Sequence, residues 1–104
     1  MKILAQIIEK ADDTLKEIEW YAEKAHHLKE EKKHLADVYI KVADMHITIY
    51  DMLHTEIVEL INQQKQITGE PPAEMKAIWN YEHERMVKRF NENKFLVESY
   101  KKSY

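Results

Sequence analysis

The sequence predicts an all-α protein: a three-helix bundle that runs up, down and up with antiparallel neighbours and is completed by homodimerisation. Three observations predict this fold class. A central segment is apolar on nearly every side, apolar residues recur every three or four positions in both flanking segments, and helix breakers are almost absent. The chain has 104 residues with one glycine, two prolines and no cysteine, which fits a single helical domain over residues 1–104.

The first predicted helix covers about residues 2–30. Its apolar residues share one face at helical spacing, and Thr14 is the one polar residue on that face. The face consists of Leu4, Ile7, Ile8, Ala11, Leu15, Ile18, Tyr21, Ala22, Ala25 and Leu28. A single helix that continued through Leu60 would be about 90 Å long. We therefore expect a turn at residues 30–34, although no glycine or proline marks it.

The second predicted helix covers about residues 35–66, and only a narrow band of it is polar. The band contains Asp37, Lys41, Asp44, Thr48, Asp51 and Thr55. Because Glu56 follows Val42 and Ile49 at intervals of seven, these three residues are expected on an inward-facing line. A helix that is apolar on so many sides must be covered by its neighbours or by another copy of the protein.

Apolar residues of this helix exceed what the two other helices of one chain are expected to cover. The excess positions are Ile40, Ile47, Val58 and Ile61. Aromatic residues expected along the edge of the same surface are Trp20, Tyr50, Trp79, Tyr81, Phe95 and Tyr100. Aromatic side chains often anchor interfaces, so these residues are the candidates for a two-fold dimer interface. The alternative is that oblique helix crossing hides them within the monomer.

The third predicted helix covers about residues 72–102. Gly69 supplies a left-handed helix end, and the pair Pro71 and Pro72 suits entry into the first turn of the next helix. Apolar and aromatic residues then recur every three or four positions, from Met75 and Trp79 to the end of the chain. Short connections favour antiparallel neighbours, which gives the up-down-up order.

Polar residues at one level of this bundle form a candidate buried layer. Antiparallel packing about Gly69 sets Glu56 level with Glu82, with His54, His83 and Asp12 beside them. The layer consists of His46, His54, Glu56, Glu82, His83 and Arg85. Its simplest interpretation is structural, with Glu56 paired with Arg85 or Arg89, because buried ion pairs help to set helix register.

A metal site is the alternative interpretation of the same layer. The carboxylates of Glu56 and Glu82 with the imidazoles of His83 and His54 have the chemistry of iron or manganese ligands. A ferritin-like site needs Glu-x-x-His on each of two helices, and this chain offers only Asp51-x-x-His54. We therefore keep the structural interpretation of the layer, in which it binds no metal and no cofactor.

Charge and composition argue against several other functions. Sixteen basic and nineteen acidic side chains give a net charge of −3, which does not favour nucleic-acid binding. No apolar run reaches the roughly 20 residues that span a bilayer, so no membrane partner is expected. Charged residues follow the short apolar start too soon for a signal peptide, and with no cysteine this favours the cytoplasm. There is no glycine-rich loop and no nucleophile on the same face as a histidine, so we expect no catalytic residues and no enzyme.

Two motifs resemble small uncharacterised all-helical proteins encoded by bacterial phages and prophages. They are Pro71-Pro72-x-x-Met75-x-x-Ile78-Trp79-x-x-Glu82-His83-Glu84-Arg85-Met86 and Tyr50-x-x-Leu53-His54. The matching positions of interest are Pro72, Trp79, Glu82, His83, Arg85, Leu53 and His54. The resemblance covers about residues 8–100 and implies a phage-derived setting without an established activity. Those proteins often have a proline between the first two helices, where this chain has Lys32-Lys33.

Overall fold

A computed structural model of the chain describes residues 2–102 and confirms the all-helical class with three helices. These are α1 (Lys2–Leu28), α2 (Lys33–Thr68) and α3 (Ala73–Lys102), and the described residues contain no strand. Helix α2 has 36 residues, so at 1.5 Å per residue it runs almost the full 55 Å length of the molecule. Among residues 2–102, no helix combines the length and the hydrophobicity needed to cross a bilayer.

The turn between α1 and α2 occupies residues 29–32 and begins slightly earlier than predicted. The Lys32 amide donates to the Leu28 carbonyl at 2.8 Å, and the Lys32 carbonyl accepts from the Ala36 amide at 2.9 Å. Leu28 is also where the apolar face of α1 ends. The end of that face therefore locates this turn better than a search for breaker residues does.

The turn between α2 and α3 uses glycine and proline as predicted, with one difference in backbone conformation. Gly69 caps α2 by donating its amide to the Lys65 carbonyl at 2.7 Å. Its φ of 78° is positive, but its ψ of −170° lies outside the left-handed helical region that was expected. Only glycine adopts this combination readily. Pro72 directly precedes α3, and its carbonyl accepts from the Lys76 amide at 2.9 Å.

The core lies mainly between α1 and α2, which pack along much of their lengths. Helix α3 contacts α1 less extensively and α2 least of all. The buried apolar residues are Leu4, Ala11, Leu15, Ile18, Ala22, Ala25, Ala36, Ile40, Ala43, Ile47, Tyr50, Ile57, Met86, Val97 and Tyr100. Five of these are alanines on α1 and α2, and small side chains allow two helices to approach closely.

Side-chain contacts between helices follow a consistent order along the chain. Contacts of α2 with α3 pair Asp37 with Tyr100, Tyr50 with Phe90, and His54 with His83. Contacts of α1 with α3 pair Asp12 with Arg85, Glu19 with Arg89, and His26 with Leu96. From one contact to the next, residue numbers fall along α3 as they rise along α2. In the contacts between α1 and α3, residue numbers rise along both helices.

Candidate functional site

An apolar stripe along the first half of α2 lies outside the core. This α2 stripe consists of Leu35, Val38, Val42, Met45, Ile49 and Met52. The spacing alternates strictly between three and four residues, which is the a/d pattern of a coiled-coil seam. Met45 and Met52 are 66% and 65% exposed, and Val42 is half-buried. In a folded monomer, the seam of a coiled coil is thus present on α2 without a facing helix.

Aromatic residues border the α2 stripe on the side of α1. Trp20 and Tyr21 of α1 both contact the ring of Tyr39, at centroid distances of 5.7 and 5.4 Å. Trp20 remains 46% exposed, and the Lys24 ammonium lies 5.7 Å from its ring centroid. This cluster extends the apolar surface from α2 onto α1.

Several residues predicted to form the dimer interface lie in the core instead. Ile40 and Ile47 are only 5% and 9% exposed, and Tyr50 and Tyr100 are each 2% exposed. The prediction that they form an outer surface is therefore wrong. Two lines of apolar residues run along α2, and the line that includes Ile40 and Ile47 packs inward.

The remaining predicted interface residues are distributed over different parts of the surface. Val58, Trp20, Tyr81 and Phe95 are exposed, as an interface would require. Ile61 is partly buried against the core, and Trp79 is half-buried beside the turn that joins α2 and α3. These six residues are distributed over all three helices.

The predicted buried polar layer is only partly assembled. Glu56 is exposed, because the line that it shares with Val42 and Ile49 faces away from the core. The expected pairing of Glu56 with an arginine is therefore wrong. His54 is half-buried and its ring lies 5.4 Å from that of His83, so the predicted level of these two residues is confirmed.

Charged residues of the layer pair between α1 and α3. Arg85 donates to Glu82 at 2.9 Å and to Asp12 at 3.5 Å. Arg89 lies 3.6 Å from the same Asp12 carboxylate and donates to Glu19 at 3.3 Å. The hydrogen bond that Arg85 donates to the Glu82 carboxylate, followed by the charges of Glu82 and Asp12, raises the pKa of Arg85. This network attaches α3 to α1, although its partly exposed pairs contribute little stability.

The His54 ring is the least satisfied polar group at this level. It stacks between Tyr50 and His83, with centroid distances of 5.8 and 5.4 Å. Its Nε2 atom and the Tyr50 hydroxyl are buried without a hydrogen-bond partner among residues 2–102. Burial, reinforced by His83 and opposed by Asp51, lowers the pKa of His54.

His46 is half-buried, as its predicted place in the layer requires, although its hydrogen bond is local. Its Nδ1 lies 2.9 Å from the Val42 carbonyl, and its ring stacks on Tyr21 at 5.8 Å. The sequence suggested Asn93 as a partner of His46, but Asn93, which is 3% exposed, instead donates to the Leu15 carbonyl at 3.0 Å. The position of Asn93 on the apolar line of α3 was the sequence signal for its burial.

Comparisons with protein-family models, curated proteins and solved structures find no match to this chain. The chemistry of the site must therefore be judged from its own geometry. Within residues 2–102, no group of three or more histidine or carboxylate side chains is arranged to hold a metal ion. What the molecule presents most prominently is uncovered apolar surface, above all the α2 stripe.

The exposure of the α2 stripe was not predicted from the sequence. Ile40 and Ile47 were selected but are buried, whereas the exposed residues of the stripe are Leu35, Val38, Met45, Ile49 and Met52. The buried line of α2, which includes Ala36, Ile40, Ala43, Ile47 and Tyr50, has the same alternation of three-residue and four-residue steps as the stripe, so this spacing does not show which line faces α1.

Proposed function

We propose that this protein is a non-enzymatic assembly or adaptor module that associates with a second copy of itself through the α2 stripe. The observation that carries the proposal is the stripe itself, a six-residue coiled-coil seam without a facing helix in the monomer. A second copy supplies a seam of the same length and chemistry. Isologous two-fold contacts of this kind are the commonest way in which soluble proteins associate.

An antiparallel pairing of the two stripes fits the charges better than a parallel one. It sets Leu35 opposite Met52 of the second copy, and Val38 opposite Ile49 of the second copy. Glu56 and Glu59 continue the heptad positions beyond Met52. A parallel pair would place each glutamate against its own counterpart, which is destabilising. An antiparallel pair in this register places Glu56 level with Glu31 and Glu59 level with Leu28, beside a segment at residues 29–33 whose three lysines outnumber its two glutamates.

The size of the stripe indicates a dimer of moderate affinity. Each half-exposed side chain contributes roughly 1 kcal/mol when its remaining surface is buried. Six side chains from each copy thus give roughly 12 kcal/mol, from which association subtracts at least about 4 kcal/mol. We therefore expect a dissociation constant in about the micromolar range.

Sedimentation tests self-association directly. The protein is expected to sediment as a dimer at about 100 μM and to dissociate on dilution. Met45→Glu places a charge in the middle of the stripe and is expected to give a monomer with unchanged helicity. Met75→Glu is the matched control, since Met75 is an exposed methionine on α3, outside the stripe. A strictly monomeric protein at high micromolar concentration would remove the proposal.

Disulfide crosslinking tests the antiparallel arrangement, because the natural chain has no cysteine. The double variant Leu35→Cys, Met52→Cys is expected to form a covalent dimer under mild oxidation. Each single variant is expected to remain uncrosslinked, since its two cysteines lie at opposite ends of the seam. Efficient crosslinking of the single Leu35→Cys variant would instead indicate parallel helices.

The wider setting of the proposed module follows from the order of contacts and from the sequence motifs. Opposite numbering along α2 and α3, with parallel numbering along α1 and α3, supports the up-down-up bundle. The resemblance of the α3 motif to small phage and prophage proteins supports a phage-derived setting. The absence of cysteine supports a place in the cytoplasm. An adaptor would also bind a further protein partner.

A carboxylate-histidine metal site is the alternative proposal, and one contact favours it. His54 and His83 face each other across α2 and α3. Against it, Glu56 is exposed and the Glu82 carboxylate is bound to Arg85. Elemental analysis of natively purified protein tests this alternative, which requires stoichiometric metal that is lost when both histidines are replaced.

A further inference from the structure

Two adjoining cavities lie at the end of the molecule where α2 turns into α3. The inner cavity, about 120 Å³ in volume, has walls from all three helices. The outer cavity, about 260 Å³ in volume, lies beside the turn at residues 69–72. Leu4 and Trp79 line both cavities, so they separate the two spaces. Trp79 is half-buried, whereas its neighbours Ile78 and Asn80 are exposed.

The two cavities differ in chemistry. The surface of the inner cavity is mainly apolar, with Ile8, Ile57, Ile61 and Met86 in its wall, and His54, Glu82 and His83 line the remainder. Apolar walls disfavour water and favour a hydrocarbon group. The outer cavity has polar residues at its wall, among them Gln64, Lys65 and Thr68. An apolar interior that continues into a polar mouth is complementary to an amphiphile.

The charge at the mouth selects the head group of such a ligand. Glu70 lines the outer cavity, but its carboxylate already pairs with the Lys76 ammonium at 3.6 Å. Lys65 is the other charged residue of this wall and is half-buried. A carboxylate beside Lys65 would form a charge-assisted contact in a partly desolvated position.

We propose that this end of the molecule binds a medium-chain carboxylate of about eight to ten carbons. The hydrocarbon chain occupies the inner cavity, passes Trp79 after rotation of this side chain, and presents the carboxylate to Lys65. An engineered cavity of about 150 Å³ holds benzene. The two cavities together have more than twice this volume, which gives space for the longer chain.

This inference does not depend on the proposed dimer. The α2 stripe ends at Met52, and the α2 residues that line the cavities begin at His54. The Met45→Glu protein, proposed above as a monomer, is expected to bind the carboxylate with unchanged affinity. Failure of self-association and failure of ligand binding are therefore measured separately.

Titration with decanoate below its micellar concentration tests the proposal. Trp20→Phe leaves Trp79 as the only tryptophan of the chain, so fluorescence reports on the wall between the cavities. We expect a saturable change in emission, and calorimetry is expected to give one decanoate per chain with a dissociation constant of about 10 to 100 μM. No saturable heat up to about 1 mM decanoate would overturn the proposal.

Two matched substitutions test where the hydrocarbon chain binds. Ile8→Phe fills the inner cavity and is expected to weaken decanoate binding at least about tenfold. Ile7→Phe makes the same change at a neighbouring half-buried residue that lines neither cavity, and its affinity is expected to be unchanged. Equal affinities of the two folded variants would place the ligand elsewhere and overturn the proposal.

A charge substitution tests the head group. Lys65→Gln is expected to weaken decanoate binding about tenfold while leaving decanol binding unchanged. Lys41→Gln removes an exposed lysine from the same helix and serves as the control. If Lys65→Gln weakened the acid and the alcohol equally, or neither of them, the carboxylate would not lie beside Lys65 and the proposal would fail.

Discussion

Among single residues, His54 shows most clearly how packing changes the chemistry of a side chain. Its ring stacks between Tyr50 and His83, its buried Nε2 atom has no hydrogen-bond partner within residues 2–102, and burial lowers its pKa. The neutral form is therefore favoured in the folded protein. Its contribution to stability is complete above the unfolded-state pKa, near 6.5, and is lost as the pH falls below that value.

Acid is expected to destabilise the protein through this histidine. We predict that the free energy of unfolding falls between pH 7 and pH 5, and that His54→Phe reduces this fall because an uncharged ring keeps the stack. His34→Gln, which replaces an exposed histidine, is the control and is expected to keep the dependence found in the natural chain. Urea unfolding at several pH values measures all three proteins. Identical pH profiles for His54→Phe and the natural chain would contradict this explanation.

Asn93 is the buried polar residue whose hydrogen bond joins α3 to α1. Its side-chain amide donates to the Leu15 carbonyl, and replacement by alanine removes this bond and leaves a small void. We predict that Asn93→Ala lowers the free energy of unfolding by about 1–2 kcal/mol. Asn91→Ala, at an exposed position on the same helix, is expected to change it by less than about 0.5 kcal/mol in the same denaturation experiment.

At the scale of the helices, the apolar pattern of α1 was sufficient to predict which of its faces is buried, whereas the apolar pattern of α2 was not. The apolar face of α1 has only one orientation that buries it, so Leu15 and Ile18 were correctly predicted in the core. Helix α2 has apolar lines in two directions, and either could face α1. The sequence could not select between them, so the exposed Glu56 was expected inside.

It was easier to predict which residues of neighbouring helices lie at the same height in the bundle than to predict how each helix is rotated about its own axis. Short turns set the level within about one helical turn, which is why His54 was correctly expected beside His83. Rotation depends on how whole faces pack together. Ion-pair partners depend on rotation as well, so Arg85 pairs with Asp12 and Glu82 instead of Glu56.

The end of α2 depends on the conformational freedom of Gly69. Nothing lies within 4 Å of a Cβ atom added there, so the cost of Gly69→Ala comes from the backbone alone. We predict a loss of about 1–2 kcal/mol in the free energy of unfolding, because alanine disfavours a φ of 78°. Gln66→Ala, at an exposed position of the last α2 turns, is the control in thermal and urea unfolding. A neutral Gly69→Ala variant would show that the turn relaxes freely.

At the scale of the whole molecule, the three helices are not equally well attached. α1 and α2 share most of the core, whereas most residues in the first three turns of α3 are exposed. The buried residues Asn93, Val97 and Tyr100 hold α3 mainly through its second half. The cavities beside Trp79 lie at the less packed end.

This difference predicts a gradient of local stability. Backbone amides of residues 76–84 are expected to exchange hydrogen at least about tenfold faster than those of residues 11–22, because fewer buried contacts oppose local opening. Hydrogen exchange followed by NMR measures both segments in one sample. Saturating decanoate is expected to slow exchange in the first segment if the carboxylate binds there. Uniform protection across α1 and α3 would contradict the gradient.

Glu56 and Glu59, which follow Met52 at heptad positions, have a consequence for the number of copies that can associate. In the proposed antiparallel pair, each copy uses its whole α2 stripe, and the glutamates of the two copies lie at opposite ends of the contact. Such a two-fold contact is closed, so we expect association through the stripe to stop at two copies instead of forming an open-ended fibre.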